Sequence, residues 1–505
     1  MDRRQFIIGS AAGALLTACG DFSLNTAKTQ SGIPELARLD GLALAEKIKA
    51  GEISAKEAVE WAIANIEQMN GSINAVVTRV FERALTRAEL GVGDGPFAGV
   101  PYLLKDLLDY KGVRLTHGCR AFQNHISDWT PPYVAATEAA GLNIMGKTNT
   151  PEHGLLATTE SLLLKACHNP WNLEHSTGGS SGGAAAAVAS GMLPLAQASD
   201  GGGSIRIPAS CCGVFGLKPS RGRMLQTAKA PLPGDIGVRH CISRSVRDSA
   251  MLLSKTEVTG PGALLTPTGF VSEPVSRRLK IAFNTRNYFE EEPDADVKAA
   301  IESTAALCSD LGHEIIEVST PVDGERFIEA FLTVWASGPA AIKAQIEEQT
   351  GTAVENSGLL EPWTLGLAEF FLKKPASALT DSLKIFEEVT RDINRFMGDY
   401  DVWLTPVLKS APPRLGEQAP TVSFDVLYER VVDYVSYTPL HNVVGTPAMS
   451  VPLSWNANGL PIGSQFAAPL GQEGLLFALA YELEQARPWK DRWAPNSVVM
   501  NKNQT

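Results

Sequence analysis

The sequence predicts an α/β fold, a sandwich of helices around a large, largely buried mixed β-sheet with a helical cap region, in one body from about residue 35 to 495. Three observations carry this prediction. Short runs too apolar for strands with a wet face recur along the chain. Helical stretches alternate with them. One segment, 324–394, is helical in pattern and contains no such run, which suits a cap over one end of the sheet. A chain of 505 residues that is 44% hydrophobic and 20% charged holds enough apolar material for a large core.

The elements follow in order. Arg3 and Arg4 precede the apolar run FIIGSAAGALL, which is too short to span a bilayer and has the form of a secretory signal. DRRQF resembles a twin-arginine signal, and Leu16-Thr17-Ala18-Cys19 resembles a bacterial lipobox, so residues 1–19 are expected to be a signal peptide with Cys19 lipidated; an ordinary secretory signal with a chance Cys is the alternative. Residues 20–34, polar and small, read as a flexible tether. The expected location is the periplasm, with a lipid anchor in a bacterial membrane.

Leu42, Ala45, Ile48 and then Ala58, Trp61, Ala62, Ile66 recur at helical intervals, with Gly51 and Ser54 marking the break and the next cap. Buried strands are predicted at 98–105, 142–147, 279–284, 402–407 and 447–453, and helices at 294–311 and 472–485. Residues 496–505 read as a C-terminal tail.

The net charge of −11, with no Lys/Arg-rich block, points away from nucleic acid as a partner. Seven cysteines show neither a C-x-x-C pair nor the spacing of a disulfide framework, so most of the six after Cys19 are expected to be buried thiols, with no metal site.

Residues 176–218, STGGSSGGAAAAVASGMLPLAQASDGGGSIRIPASCCGVFGLK, have the most unusual composition in the chain. Two Gly/Ser loops flank a small-residue helix and a short strand, and side chains this small let the two loops approach closely. Gly201, Gly202 and Gly203 place unobstructed backbone N–H groups just before Ser204, the makings of an oxyanion hole beside a nucleophile. A flexible loop without chemistry is the alternative. A serine nucleophile needs a base, and no His lies within this stretch, although His175 borders it. Lys105, inside AGVPYLLKDLL, is the best-placed candidate, because burial disfavours an ammonium; a lysine snorkelling from a strand end is the competing reading.

GVPYLLKD at 99–106, GKTNTPEHG at 146–154, STGGSSGG at 176–183, DGGGSIRIPAS at 200–210 and GVFGLKPSRGR at 213–223 together resemble the amidase signature family, in order and in spacing. HNVVGTPAMSVPL at 441–453 and GLPIGSQF at 459–466 extend the likeness over nearly the whole mature chain, and the motifs look most like the branch that holds 6-aminohexanoate cyclic-dimer hydrolases. The resemblance implies an amidase-signature α/β/α sandwich that hydrolyses the carbon–nitrogen bond of a small-molecule amide, with no metal or organic cofactor. It implies that Ser204 attacks the carbonyl, that Ser180 relays the proton through a cis peptide after Gly179, and that neutral Lys105 is the final base. Gly201, Gly202, Gly203 and Ser204 would supply the oxyanion hole, with Ser181, Ser199, Asp200 and Arg206 in support. Ser199 stands where many members have Thr, and Gly201 where a small or β-branched residue is common; the extra glycine is expected to loosen the loop. Phe331, Val334, Trp335 and Trp363 are the candidate pocket wall for an uncharged, partly apolar acyl group, unless they are simply core.

Two other motifs compete. Residues 141–148 match the phosphate-loop pattern G-x-x-x-x-G-K-[ST], but the intervening residues are apolar and Pro151 would interrupt the helix required at Lys147. Residues 178–182 match the G-x-S-x-G elbow of α/β-hydrolases, which would make Ser180 the nucleophile of an esterase, yet NPWNLEHST before it does not read as a hydrophobic strand. A catalytically silent amide-binding lipoprotein is the remaining alternative.

Overall fold

A computed structural model describes residues 33–225 and 234–501. The proposed signal peptide, Cys19 and nearly all of the tether lie outside the described residues. Among those described, no helix is long and apolar enough to cross a membrane.

Eight strands form the large mixed sheet, in the order Glu314–Glu317, Lys280–Phe283, Val402–Pro406, Pro461–Ala467, Ala448–Trp455, Phe215–Lys218, Val238–Ser243 and Leu195–Asp200. The first three run parallel and the remaining pairings are antiparallel. A smaller sheet orders Val76–Arg79, Asn143–Thr148 and Pro101–Lys105. Its last strand lies beside Leu195–Asp200, where the Gln197 side chain bridges the two sheets by accepting the Lys105 N–H at 2.9 Å. A side chain thus takes the place of a ladder bond, and Lys105 ends its strand at that seam.

The apolar runs became strands because both faces are covered. Every residue of Pro101–Lys105 and of Val402–Pro406 is buried. Helix Ala55–Ile73 begins at the capping box expected from Ser54, with Glu57 returning the bond, and presents Ala58, Trp61, Ala62 and Ile66 to the core. Helices Ala295–Asp310 and Glu473–Ala486 fall where periodicity placed them. Helix Gly182–Ala189 is buried throughout, as its lack of side chains allows. The region 324–394 is helical, comprising Gly324–Thr350, Pro362–Leu372 and most of Ala378–Met397. These helices pack around a second hydrophobic cluster that includes Phe327, Phe331, Phe386 and Trp403. All six described cysteines are buried thiols.

Residues 496–501 do not hang free. Val498 and Val499 join the main core, and the Val498 N–H donates to Ser190 O at 2.9 Å. Segment NPWNLEHST contains a short strand after all, Asn172–Ser176, but it pairs with His168–Asn169 in a two-stranded ribbon outside the large sheet. The phosphate-loop match is overturned: Asn143–Thr148 is a strand with every residue buried, and the Lys147 Nζ donates to the Leu108 carbonyl.

Candidate active site

The seam between the two sheets gathers the chemistry. Lys105 ends one strand, Ser199 and Asp200 end the neighbouring strand, and the loops before helices Gly182–Ala189 and Arg206–Cys212 bring Ser180, Ser181 and Ser204 to the same place. Lys105 is fully buried. Its Nζ lies 2.7 Å from Ser180 Oγ, 2.9 Å from Ser181 Oγ and 3.2 Å from Ser199 Oγ. Burial pulls its pKa down to about 7, with Asp200 opposing that shift and Arg239 adding to it. Near neutrality the amine is therefore substantially uncharged and able to accept a proton.

The Gly179–Ser180 peptide bond is cis. Gly154, at φ +73°, stands over Ser180; a Cβ there would lie 3.0 Å from Ser180 Oγ and 2.8 Å from Leu107, so both conformation and space call for glycine. Among the described residues no hydrogen bond joins the Ser180 and Ser204 hydroxyls, but both line one cavity.

The loop 201–204 is held from inside. Asp200 accepts from the Gly203 N–H at 2.8 Å and the Ile205 N–H at 3.1 Å, and forms a fully buried ion pair with Arg206 at 2.9 Å. Burial opposes the Asp200 charge, but the Arg206 guanidinium outweighs it and holds the carboxyl well below the usual carboxylate range. Arg206 in turn donates to Thr438 O, Gln465 Oε1 and Asn442 Oδ1, and Thr438 Oγ1 donates to Gly202 O at 2.7 Å. The expected loosening at Gly201 is not what this network describes. Trp335 covers Gly201, within 3.2 Å of where a Cβ would sit, and the loop is pinned on both sides of it. A second correction concerns the oxyanion hole. The Gly203 N–H is turned to Asp200, so the amides of Gly201, Gly202 and Ser204 are the ones with no partner among the described residues.

Two cavities meet at Ser204. One, about 60 Å³, is apolar and lies under the cap, with Ile328, Phe331, Leu332, Trp335 and Trp363 on one side and Val431, Val432 and Val435 on the other. The other, about 380 Å³, is polar, and its lining includes Ser180, Ser199, Gln197, His117, His153, Asp235 and Arg239. Phe331, Trp335 and Trp363 stand where the sequence placed them, and Trp363 is fixed by its Nε1–H donating to Leu155 O at 3.1 Å. Val334 does not line either cavity; it packs in the cap cluster beside Trp335. Spacing explains this: Ile328, Phe331, Leu332 and Trp335 are i, i+3, i+4 and i+7 on one helix, and residue 334 lies off that face. The same rule would have found Ile328 and Leu332. His153 lies within the motif GKTNTPEHG, which marked the segment but not a role for the histidine, and His117 carried no comparable signal.

The elbow reading loses its geometry. Strand Asn172–Ser176 is not part of the large sheet, and the hydroxyl of Ser180 is engaged by Lys105, not by a histidine.

Comparison with known proteins identifies the family. The family model described as Amidase matches residues 57–477. The putative amidase AmiC of Mycobacterium tuberculosis (strain ATCC 25618 / H37Rv) is 37% identical over 463 residues, covering 91% of this chain and 97% of that protein. The 6-aminohexanoate-cyclic-dimer hydrolase of Pseudomonas sp. (strain NK87) is 35% identical over 486 residues, covering 90% and 96%. The solved structure of 6-aminohexanoate cyclic dimer hydrolase complexed with substrate superposes with a TM-score of 0.84 at 31% identity, over 92% of this chain and all of that one. With 37% identity along nearly its whole length and a family match spanning both serine loops and the buried lysine, the chain belongs to the amidase signature family and is an amide hydrolase.

Proposed function

We propose that this amidase works through Ser204 as nucleophile, Ser180 as proton relay and Lys105 as base, on amides with an apolar acyl group. The observation that carries the reading is the 2.7 Å contact between Lys105 Nζ and Ser180 Oγ in a pocket where burial brings the amine's pKa down to about 7, so that a large fraction is uncharged near neutrality. Ser204 Oγ bonds to the carbonyl carbon as its proton passes to Ser180 Oγ, whose own proton passes to Lys105 Nζ. The carbonyl oxygen takes up the negative charge facing the amides of Gly201, Gly202 and Ser204. The C–N bond then breaks, Ser180 delivers a proton to the leaving nitrogen, and Lys105 restores the Ser180 proton. A water molecule attacks the resulting ester, giving its proton to the same relay, and Ser204 regains its proton as its bond to the carbonyl carbon breaks. The apolar wall of Phe331, Leu332, Trp335 and Trp363 supports an uncharged acyl group.

A fluorophosphonate probe tests the reading. The mass of the labelled protein should rise by one adduct, located on the peptide containing Ser204; a label on Ser180 would reverse the two serine roles. The proposal includes location. Signal features in residues 1–19 support an exported lipoprotein carried by lipidated Cys19, and Cys19→Ser should leave the membrane fraction or keep its leader. Fractionation unchanged from wild type would remove the lipid anchor from the account.

A further inference from the structure

We propose that the polar cavity is the subsite for the amine half of the substrate, and that it selects a secondary amide whose amine carries a neutral hydrogen-bonding group, held by His117 and His153. This rests on the proton route above. The leaving nitrogen must take its proton from Ser180, and Ser180 lines the polar cavity but not the apolar one, whereas Ser204 lines both. The acyl group therefore belongs under the cap and the amine among the histidines. At about 380 Å³ the polar space far exceeds what ammonia from a primary amide would fill.

The chemistry of the wall narrows the amine. His117 and His153 stack with ring centroids 5.5 Å apart and planes 17° from parallel, and Phe122 packs edge-on against both. Both backbones are left-handed, at φ +55° and +50°, a conformation uncommon for a residue with a side chain. The His153 N–H donates to His117 O at 2.7 Å, which fixes one residue to the other. Both residues line the cavity, and neither ring makes a hydrogen bond within the described protein. Burial pushes the His117 pKa down to about 4 and that of His153 down to about 3, so both rings are neutral, each with one donor and one acceptor nitrogen. The charged side chains of the lining are Arg239, Asp235 and Asp200, and Asp200 is already paired with Arg206, so the lining favours neither sign of ligand charge. A carboxamide, able to give and take hydrogen bonds without a charge, matches this wall.

The test compares butanoyl amides of five amines: ammonia, glycinamide, glycine, ethylenediamine and isobutylamine, the last an apolar isostere of glycinamide. In the wild type kcat/KM should be highest for the glycinamide derivative, about tenfold above the isobutyl compound, since a site built for hydrogen bonding rejects an analogue that leaves it unpaired. His117→Phe and His153→Phe, which keep an aromatic ring, should bring that ratio near one. Leu332→Ala, on the acyl side, should change the preferred acyl length and leave the ratio standing. Hydrolysis of all five at similar rates, faster cleavage of the glycine or ethylenediamine compound, or a ratio that survives both histidine changes overturns the assignment. Absence of turnover on every amide would instead overturn the catalytic reading on which it rests.

Discussion

Lys105 and Lys147 stand on adjacent parallel strands, in the register Leu104 to Lys147 and Lys105 to Thr148, and both are fully buried. Burial lowers the pKa of each, to about 7 for Lys105 and about 8 for Lys147, with Asp106 opposing the shift at the second. Their partners differ. Lys105 meets three serine hydroxyls, groups that can both give and receive a proton. Lys147 meets the carbonyl of Leu108, which can only accept, so this contact holds the chain together and offers no hydroxyl relay. Burial makes a lysine able to be neutral; the neighbouring hydroxyl turns that capacity into base catalysis.

The largest effect should come from the residue both hydroxyl loops serve. Ser204→Ala should lower kcat by about 10⁴-fold or more, measured on a simple amide, with little change in melting temperature. Lys105→Ala and Lys105→Arg should each lower it about 10²–10⁴-fold, and arginine should rescue nothing because a guanidinium stays protonated. Ser180→Ala should fall short of Ser204→Ala, since water can partly replace a relay. If Lys147→Met lost as much activity as Lys105→Arg, the contrast between the two lysines would be broken.

Lys147→Met should instead cost stability, about 1–3 kcal/mol for leaving a buried carbonyl unpaired, read from denaturant unfolding, while kcat stays within a few-fold. Gly154→Ala would press a methyl group on Ser180 and should lower kcat up to about 10²-fold, with KM less affected. The smallest difference lies in the cap. Leu332→Ala should shift acyl preference by about tenfold, whereas Val334→Ala, off the cavity, should leave it unchanged. Equal shifts from both would contradict the placement of the acyl group.

Much of this was legible in sequence because composition and function coincide in a few places. A lysine inside AGVPYLLKDLL is a candidate for burial, glycines before Ser204 mark a loop with accessible amides, and the strands at 101–105, 143–148 and 402–406 fall on the largely apolar runs. What stayed hidden depended on contacts made across long stretches of chain. Asp200 captures the Gly203 N–H, a competition that no glycine count reveals. Gln197 bridges the two sheets, and His117 and His153 meet only because the chain folds Gly118 against Pro151. Strand Asn172–Ser176 was missed for another reason: half-exposed, it has none of the apolar character that marks the central strands.

The most direct test of the account is the pH dependence of kcat/KM for a neutral amide in wild type, Lys147→Met and Lys105→Ala. Only the deprotonated amine can accept a proton, so wild-type activity should be low below the Lys105 pKa, rise through about 7 and level off above it. Lys147→Met should keep that rise, and the residual activity of Lys105→Ala should lose it. A rise through the same pH range that persists in Lys105→Ala would assign the base to another group and contradict the account.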